Sequence, residues 1–383
     1  MNVLIIPSWY PYAGHTMAGK FFVDQAKALA MHTRHNYYLL NFGQNEYQLK
    51  FRTLPQNLSK LYSYAKAKRQ LKQLAQNLWE LRIPHLSWSS YIAKGNLDSF
   101  PLDLDLKVDL IYALVSFPAG YLAMRLAASW NIPYIIAEHS GPFPFPQFLH
   151  KGKLSKLLAI PLKNAKTTIV VSSYLQDQLY KYAGVKAHVI PNMVNTDFFV
   201  PTSDKKKSPQ LRLFAMSSFT HQKGVTILMQ ALYALWQIDP AFEMVWAGDG
   251  PLHKTITRQA AGLPITFTKE LSPQQALGQY QNCDLFLMPS LIESFSMVLI
   301  EAMSCGVPSV ATACGGPADI ITPDTGILCA PNSSSALLNA ILEYKSKSER
   351  YDANLIRAHC ISNYSEKAVS SQLNSLFEDS VSL

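Results

Sequence analysis

The segment from Asp284 to Gly316, DLFLMPSLIESFSMVLIEAMSCGVPSVATACGG, most strongly limits how this chain can fold. Apolar runs of strand length open and close it, at 284–289 and 308–313, and such runs are typical of strands buried on both faces. Between them, apolar residues recur at helical spacing, and Gly306 followed by Pro308 is typical of a helix C-terminus. The segment therefore predicts a strand–helix–strand unit of a parallel sheet.

Two acidic residues lie near the two ends of the predicted helix in this segment. Glu293 comes just before it and Glu301 lies inside it. A helix of about eight residues covers roughly 12 Å, comparable to the distance from ribose to sugar in an extended nucleotide diphosphate sugar. Taken alone, Glu293 could also be a capping acid and Glu301 a polar-face residue, so the residues by themselves leave both interpretations open.

Strand and helix patterns alternate along the rest of the chain as well. The further strand candidates are 2–7, 37–41, 109–114, 133–137, 168–172, 211–216, 242–247 and 265–268. The 383 residues exceed what one ordinary core holds. The polar Pro/Ser/Lys-rich stretch 201–210 is typical of a linker. We therefore expect an α/β protein of two doubly wound parallel-sheet domains.

The composition is that of a globular protein with a basic surface. Hydrophobic residues make up 48% and charged residues 16%, while the net charge is +8. Such a charge favours acidic partners, among them nucleotide phosphates, anionic lipid headgroups and acidic glycans. Nucleic acid would fit the charge alone, but no nucleic-acid-binding module is recognisable, so we expect no nucleic-acid partner.

Cysteines and apolar segments indicate a cytoplasmic protein. The five cysteines form no CxxC pair and show no zinc-ligand spacing, and their odd number argues against a disulfide framework. The N-terminal MNVLIIPSWYP lacks the basic leader of a signal peptide and is interrupted by Pro7. The longest apolar region, 113–130, contains Pro118 and Arg125 and predicts no membrane span.

Two segments of the chain are locally rich in basic residues. In 46–88, apolar Leu58, Leu61, Leu71, Leu74 and Leu78 recur at roughly helical spacing among the basic residues Lys50, Arg52, Lys60, Lys66, Lys68, Arg69, Lys72 and Arg82. The second segment, 150–166, is HKGKLSKLLAIPLKNAK. Basic amphipathic stretches suit peripheral attachment to the anionic inner face of a cell membrane, and a solvated helix face over the core is the alternative.

The spacing Glu-x7-Glu followed by a Gly-Gly turn resembles the signature of glycosyltransferase family 4, also called glycosyl transferases group 1. Stretches 117–141, 188–199 and 217–224 and the turn GDGP at 248–251 also resemble regions of that family. The resemblance implies the GT-B fold, in which two Rossmann-like domains face a central cleft. It implies an acceptor-binding domain over 1–195, a donor-binding domain over 196–364, and a last helix, 365–383, that packs back on the first domain.

The resemblance also implies roles for individual residues. Glu293 would face the transferred sugar, with His139 beside it, and Glu301 would hold the ribose hydroxyls. Lys223 would grip the diphosphate, together with backbone amides at the helix start. The residues at that helix start are Ser294, Phe295, Ser296 and Met297. Amides at a helix N-terminus favour anions on general grounds.

Some positions depart from the family pattern. Ser218 stands where the family often has the arginine that pairs with the lysine on the diphosphate, which leaves Lys223 as the expected cation there. The turn after the first strand is Ala18-Gly19 where Gly-Gly is common. Milder changes are Asn195 for an aspartate and Asp319 for a glutamate. The remaining expected site residues are Gly248 on the donor side and Gly19, Lys20 and Glu138 on the acceptor side.

The activity implied is transfer of a sugar, with retention, from a nucleotide diphosphate sugar to a hydroxyl of a glycan or lipid-linked acceptor, in cell-surface polysaccharide or lipopolysaccharide biosynthesis. No nucleophile and no DxD metal motif is evident, so front-face substitution with neither metal nor cofactor is expected.

Two alternatives stay open: a non-catalytic GT-B partner of another transferase, which Ser218 supports, and a nucleotide-sugar epimerase of the same fold. A Rossmann oxidoreductase is disfavoured because no GxGxxG follows any strand.

Overall fold

The computed structural model describes residues 1–12, 18–44, 46–49, 54–88, 97–203 and 208–382. The chain forms two compact units. Unit 1 comprises Met1–Val171, Leu175–Ile190 and Val369–Leu383, and unit 2 comprises Ser172–Tyr174 and Pro191–Ala368. Lys50, Arg52, the middle of the turn after the first strand (13–17) and the middle of the expected linker (204–207) lie outside the described residues.

Unit 1 is built on an eight-stranded sheet with the order β12-β11-β8-β7-β1-β2-β5-β4. The strands of unit 1 are β1 Asn2–Pro7, β2 Asn36–Asn41, β3 Gln48–Leu49, β4 Gln70–Ala75, β5 Leu78–Arg82, β6 Ser87–Trp88, β7 Leu110–Leu114, β8 Tyr134–Glu138, β9 Leu149–His150, β10 Lys153–Leu154, β11 Thr167–Val170 and β12 His188–Val189. All pairs in the large sheet are parallel except β4 with β5. β7 and β8 are buried along their whole length, as their continuous apolar runs predict.

Five α-helices of nine or more residues lie between the strands of unit 1 in the described parts of the chain. They are α1 Lys20–His32, α2 Leu54–Lys66, α3 Tyr121–Trp130, α4 Lys156–Asn164 and α5 Ser173–Ala183. The helical spacing seen in the first basic segment holds only as far as α2. Leu71 and Leu74 lie instead in β4, and Leu78 opens β5, because this stretch closes the sheet edge as an antiparallel pair.

Unit 2 is built on a six-stranded parallel sheet with the order β15-β14-β13-β16-β17-β18. Its strands are β13 Leu211–Met216, β14 Phe242–Ala247, β15 Ile265–Thr268, β16 Leu285–Met288, β17 Ser309–Thr312 and β18 Gly326–Cys329. Five of them confirm sequence predictions. The pattern missed β18, because this strand, GILC, begins with a glycine and has only Ile327 and Leu328 as a strand signal.

The helices of unit 2 cover both faces of its sheet. They are α6 Val225–Ile238, α7 His253–Gln259, α8 Pro273–Asn282, α9 Met297–Ser304, α10 Pro317–Ile320, α11 Ser334–Ser346 and α12 Ala353–Tyr364. The core on one face joins Trp246 and Phe242 of the sheet to Leu232 of α6 and Ile341 of α11, all of them essentially buried. Burying one such side chain stabilises the fold by about 1.5–3 kcal/mol.

The last helix, α13, spans Glu366–Val381. Its apolar stripe of Val369, Leu373 and Phe377 is buried, and the Phe377 ring lies 4.9 Å from that of Tyr112 in β7 of unit 1. No helix in the ranges described above has both the length and the apolar character needed to cross a membrane.

Candidate functional site

The candidate site in unit 2 lies where the strand order of its sheet reverses. β13 and β16 are neighbours, and the chain leaves them toward opposite edges of the sheet. In open α/β sheets, ligands bind beside the carboxyl ends of strands at such a point. Lys223 follows the end of β13, and Glu293 follows the end of β16.

Lys223 and Glu293 form a close ion pair. The Lys223 Nζ lies 2.6 Å from the Glu293 Oε1, and the Ser290 Oγ donates to the same oxygen at 2.8 Å. About 28% of the lysine side chain and 15% of the glutamate side chain are exposed. Both side chains are therefore partly buried but still accessible to a ligand. A bound anion would compete with the Glu293 carboxylate for the Lys223 ammonium.

The Gly-Gly turn holds the backbone of Glu293. The Glu293 N–H donates to the Cys314 carbonyl at 3.2 Å, and the Gly316 N–H donates to the Glu293 carbonyl at 2.9 Å. Gly315 has a φ of 126°, and a Cβ there would lie 2.5 Å from the Glu293 carbonyl oxygen. A side chain at Gly315 would thus displace Glu293, which gives the Gly-Gly turn a steric reason.

A second glycine fixes Lys223. Gly224 directly precedes α6 with a φ of 64°, and a Cβ there would lie 1.9 Å from the carbonyl oxygen of Pro289, the residue after β16. One residue before Lys223, the Gln222 carbonyl accepts from the Leu291 N–H at 2.8 Å. The loops after β13 and β16 therefore touch backbone to backbone, and this contact sets the distance between lysine and glutamate.

The start of α9 offers an anion-binding environment. Ser296 precedes the helix with a φ of 155°, and its Oγ is buried without a hydrogen-bond partner in the described chain. The first N–H groups of any helix lack intrahelical acceptors and carry the positive end of the helix dipole. Phe295 beside it is buried, while the Ser294 carbonyl accepts from the Ser172 Oγ at 2.6 Å. The backbone from Ser294 to Met297 could therefore receive phosphate oxygens.

Glu301 lies one helical turn further along α9. The Tyr280 hydroxyl donates to its Oε2 at 2.9 Å, and Tyr280 itself is fully buried. Burial raises the pKa of Glu301 to about 7, against the smaller opposing effect of the Tyr280 hydrogen bond. A carboxyl group held in this way can accept hydrogen bonds from the hydroxyls of a ribose.

The other two donor-side residues lie at strand ends of the same sheet. Gly248 follows β14 with a φ of 132°, and a Cβ there would lie 1.9 Å from the Ser217 carbonyl oxygen. Ser218 follows β13 with an exposed side chain, and its carbonyl accepts from the Thr220 N–H at 2.9 Å. Glycine is therefore needed at position 248, where the loops after β13 and β14 approach each other closely.

Two of the acceptor-side residues lie at the start of α1 in unit 1. Gly19 has a φ of 68°, and a Cβ there would lie 2.2 Å from the Trp9 carbonyl oxygen. This close approach requires glycine at the second position of the Ala18-Gly19 turn. Lys20 pairs with Asp24 one turn later at 2.5 Å, with about 42% of each side chain exposed.

Glu138 and His139 follow β8 in unit 1. The Glu138 carboxylate is fully buried and accepts hydrogen bonds from the Ser116 N–H and hydroxyl and from the His139 and Ser140 N–H groups. It therefore fixes the backbone that carries His139. The His139 ring is partly buried and packs edge-on against Phe21 and Phe22, with ring centroids 5.5 and 5.4 Å away.

Ser290 and Tyr280, whose hydroxyls donate hydrogen bonds to the predicted acids Glu293 and Glu301, were not predicted from the sequence. Ser290 could have been found, since it is the second residue after a buried strand, at the sheet edge where ligands bind. Tyr280 precedes Glu301 by 21 residues and lies in another helix, so no local signal marks it. Within the portion of the chain that the structure describes, no group of three or more His, Cys, Asp or Glu side chains could hold a metal ion.

Family models match most of the chain. Residues 210–346 match the model described as "Glycosyl transferases group 1", and residues 79–198 match the model described as "Glycosyltransferase Family 4". These ranges contain every predicted site residue except Gly19 and Lys20.

Two of the curated relatives that align with the chain indicate the kinds of protein it resembles. One bears a name that refers to teichuronic acid biosynthesis, the glycosyltransferase TuaC of Bacillus subtilis, with 27% identity over 63% of this chain and 62% of that protein. The other is the "GDP-mannose-dependent alpha-(1-6)-phosphatidylinositol dimannoside mannosyltransferase" of Mycobacterium tuberculosis, with 26% identity over 56% of this chain and 58% of that protein. The chain thus spans about six tenths of the length of these relatives.

A solved structure shows the same fold along the whole chain. The crystal structure of Anabaena Alr3699/HepE in complex with UDP superposes with a TM-score of 0.72 at 18% identity, covering 99% of this chain and 100% of that one. At this identity the likeness concerns the fold, and it confirms the GT-B class predicted from the sequence. The chain belongs to the glycosyl transferases group 1 family, family 4 of the glycosyltransferases.

Proposed function

We propose that the protein transfers a sugar, with retention, from a nucleotide diphosphate sugar to a hydroxyl of a glycan or glycolipid in cell-envelope biosynthesis. The observation that carries the proposal is the Lys223–Glu293 pair at the switch point of the unit 2 sheet, next to the start of α9. A cation, a carboxylate and a helix N-terminus at one sheet edge are the groups that a diphosphate-linked sugar needs. The names of the relatives, which refer to teichuronic acid and to a phosphatidylinositol mannoside, support the acceptor class.

In the proposed reaction the bond between the anomeric carbon and the diphosphate oxygen breaks, and its electron pair leaves with the phosphate. The acceptor oxygen bonds to the same face of the anomeric carbon, and its proton passes to the departing phosphate. Lys223 and the amides at the start of α9 would stabilise the negative charge that develops on the leaving group. Glu293 would orient the sugar.

The remaining site residues complete the proposal. Glu301 would accept hydrogen bonds from the ribose hydroxyls, and Tyr280 would orient its carboxyl group. His139 would act on the sugar, held by the backbone that Glu138 fixes. Gly19 and Lys20 would serve the acceptor. Because Lys223 and the helix dipole supply positive charge, the proposed reaction uses neither metal nor cofactor.

Thermal unfolding against UDP, GDP, ADP, CMP and NAD tests the donor class. A ligand at about 100 times its Kd stabilises the protein by roughly 2.7 kcal/mol, which raises the Tm by several degrees. We expect a shift with one nucleoside diphosphate and none with NAD. Glu301→Ala should abolish this shift, whereas Glu243→Ala, an exposed glutamate in β14 of the same unit, should preserve it. Equal shifts in the two variants would contradict the ribose assignment.

A non-catalytic partner of another transferase is the second candidate, and the exposed Ser218 in the position of an expected arginine favours it. The two candidates differ in turnover. Donor binding with no transfer to any acceptor in a cell-envelope extract would favour the partner role. Conversion of the nucleotide sugar without any acceptor would favour an epimerase.

A further inference from the structure

We propose that helix α2 docks unit 1 on the surface of an anionic lipid bilayer. The proposal concerns a surface outside the sugar-transfer site, and it holds whichever sugar is transferred. It starts from a charge asymmetry. Unit 1 carries 21 Lys and Arg against 11 Asp and Glu, whereas unit 2 carries 13 against 15. The net positive charge of the chain therefore lies in unit 1, because the acidic residues of unit 2 slightly outnumber its basic ones.

The apolar stripe of α2 faces solvent. Leu58, Leu61, Tyr62 and Ala65, spaced as i, i+3, i+4 and i+7, are all exposed, and Leu58 and Tyr62 are each 64% exposed. The opposite stripe faces the protein, where the Tyr64 ring packs edge-on against that of Tyr47 at 5.6 Å. An amphipathic helix usually buries its apolar stripe in the core, and α2 does the reverse.

The surroundings of this stripe are basic. The chain contains no Asp or Glu from residue 47 to residue 79. Lys68, Arg69 and Lys72 follow α2 directly, and all three are exposed, as is Leu71 among them. These residues lie at or next to β4, the antiparallel edge strand of the unit 1 sheet. Exposed apolar residues beside a row of cations match the interface of a bilayer that contains acidic lipids.

The second basic segment differs in this respect. Its helix, α4, buries Leu158, Pro161 and Leu162, and of its large apolar residues only Ile160 is strongly exposed. Lys151, Lys153 and Lys156 are exposed beside it. This segment offers charge without an apolar stripe, so it can attract an anionic surface but has little to insert. The structure therefore singles out α2 from the two segments.

Co-sedimentation with vesicles tests the proposal on the full chain. We expect binding to phosphatidylcholine vesicles with 30% phosphatidylglycerol at low salt, and much weaker binding to phosphatidylcholine alone. Each basic residue near an anionic surface strengthens binding about fivefold. The triple variant Lys68→Gln, Arg69→Gln, Lys72→Gln should therefore bind about a hundredfold more weakly. The variant Leu58→Ser, Tyr62→Ser, with unchanged net charge, should lose about tenfold.

Two matched controls separate docking by α2 from general charge attraction. Lys151→Gln, Lys153→Gln, Lys156→Gln removes the same charge from the same unit and should weaken binding by less than about fivefold. Tyr233→Ser, Ile238→Ser removes comparably exposed apolar residues from α6 of unit 2 and should change nothing. Equal losses in the two triple variants, or unchanged binding of Leu58→Ser, Tyr62→Ser, would overturn the proposal, as would equal binding to both vesicle types. Since sedimentation needs no donor, its result is independent of the proposed transfer reaction.

Discussion

The Lys223 ammonium lies 2.6 Å from the Glu293 carboxylate, although the two residues are 70 positions apart in the chain. Lys223 follows one central strand and Glu293 follows the neighbouring one. Gly224 and Gly315 allow the close backbone approaches that position Lys223 and Glu293, respectively. Such a pair holds a cation in place before any ligand arrives. A diphosphate would then meet a preorganised charge, which lowers the cost of reorganisation during the reaction.

Glu293→Ala is expected to lower kcat for sugar transfer at least a hundredfold, equivalent to about 2.7 kcal/mol of transition-state stabilisation. The variant removes the carboxylate that we propose orients the sugar, and it releases Lys223 from its ion-pair partner. The fold should be retained, because Glu293 is bound to Cys314 and Gly316 through its backbone and not its side chain. Initial rates and thermal unfolding of the variant, each beside the exposed-site variant Glu243→Ala, measure both quantities. Near wild-type transfer by Glu293→Ala would remove this residue from the mechanism.

Gly224→Ala should destabilise unit 2 by more than Gly262→Ala does. Both glycines have a positive φ, so both alanines carry a backbone penalty of about 1–2 kcal/mol. Only at Gly224 would the new Cβ also lie 1.9 Å from a carbonyl oxygen, that of Pro289, while nothing lies within 4 Å at Gly262. The difference between the two variants in the free energy of unfolding, measured in urea, isolates the contribution of this clash. Equal losses of stability would show that the loop after β16 can move away from the new Cβ at little cost.

The strands and the site positions could be predicted from the sequence to different degrees. Continuous apolar runs such as 284–289 and 308–313 correspond to central strands, because burial on both faces leaves little choice of residue. At the edge of the unit 1 sheet, Leu71 and Leu74 followed a helical spacing but lie in β4, since one exposed strand face tolerates almost any pattern.

Side-chain partners were the least predictable part of the site. The positions of Glu293, Glu301 and Lys223 at strand ends and on α9 followed from local pattern and resemblance. The hydrogen bond from Tyr280 to Glu301 depends on how α8 packs beside α9, which no single stretch of sequence encodes. The exposed stripe of α2 was likewise invisible, because periodicity defines the stripe but not the direction it faces.

Sugar transfer is expected to continue unchanged in the presence of 5 mM EDTA at about neutral pH. The reason is that Lys223 and the N-terminus of α9 can together balance the leaving diphosphate. The assay compares initial rates after dialysis against EDTA with rates after readdition of Mg²⁺ or Mn²⁺. Loss of transfer on chelation, restored by either ion, would contradict a metal-independent reaction.

A variant tests the same idea from the side of the protein. Lys223→Gln should lower kcat at least a hundredfold, since no metal ion would take the place of the lysine.

Glu301→Gln should make the protein more stable at pH 8 while weakening its hold on the nucleotide. Burial raises the pKa of Glu301 from 4.5 to about 7 in the folded protein. Between these values the folded chain keeps a proton that the unfolded chain has lost. The free energy of unfolding therefore falls as pH rises through this window, by about 1.4 kcal/mol per pH unit and about 3 kcal/mol at most.

Glutamine carries no charge, so the variant avoids this loss, and its amide oxygen can still accept from the Tyr280 hydroxyl. Urea unfolding should give the variant a higher free energy of unfolding than the wild type at pH 8 and the same free energy of unfolding at pH 4.5. The nucleotide Kd of the wild type should tighten from pH 6 to pH 8 as the carboxylate forms, whereas that of Glu301→Gln should stay flat and weaker. If the two proteins unfold alike at both pH values, Glu301 is already ionised in the fold at neutral pH. An unchanged nucleotide Kd in the variant would place the ribose elsewhere, because a lost charged hydrogen bond costs about 1.5–3 kcal/mol.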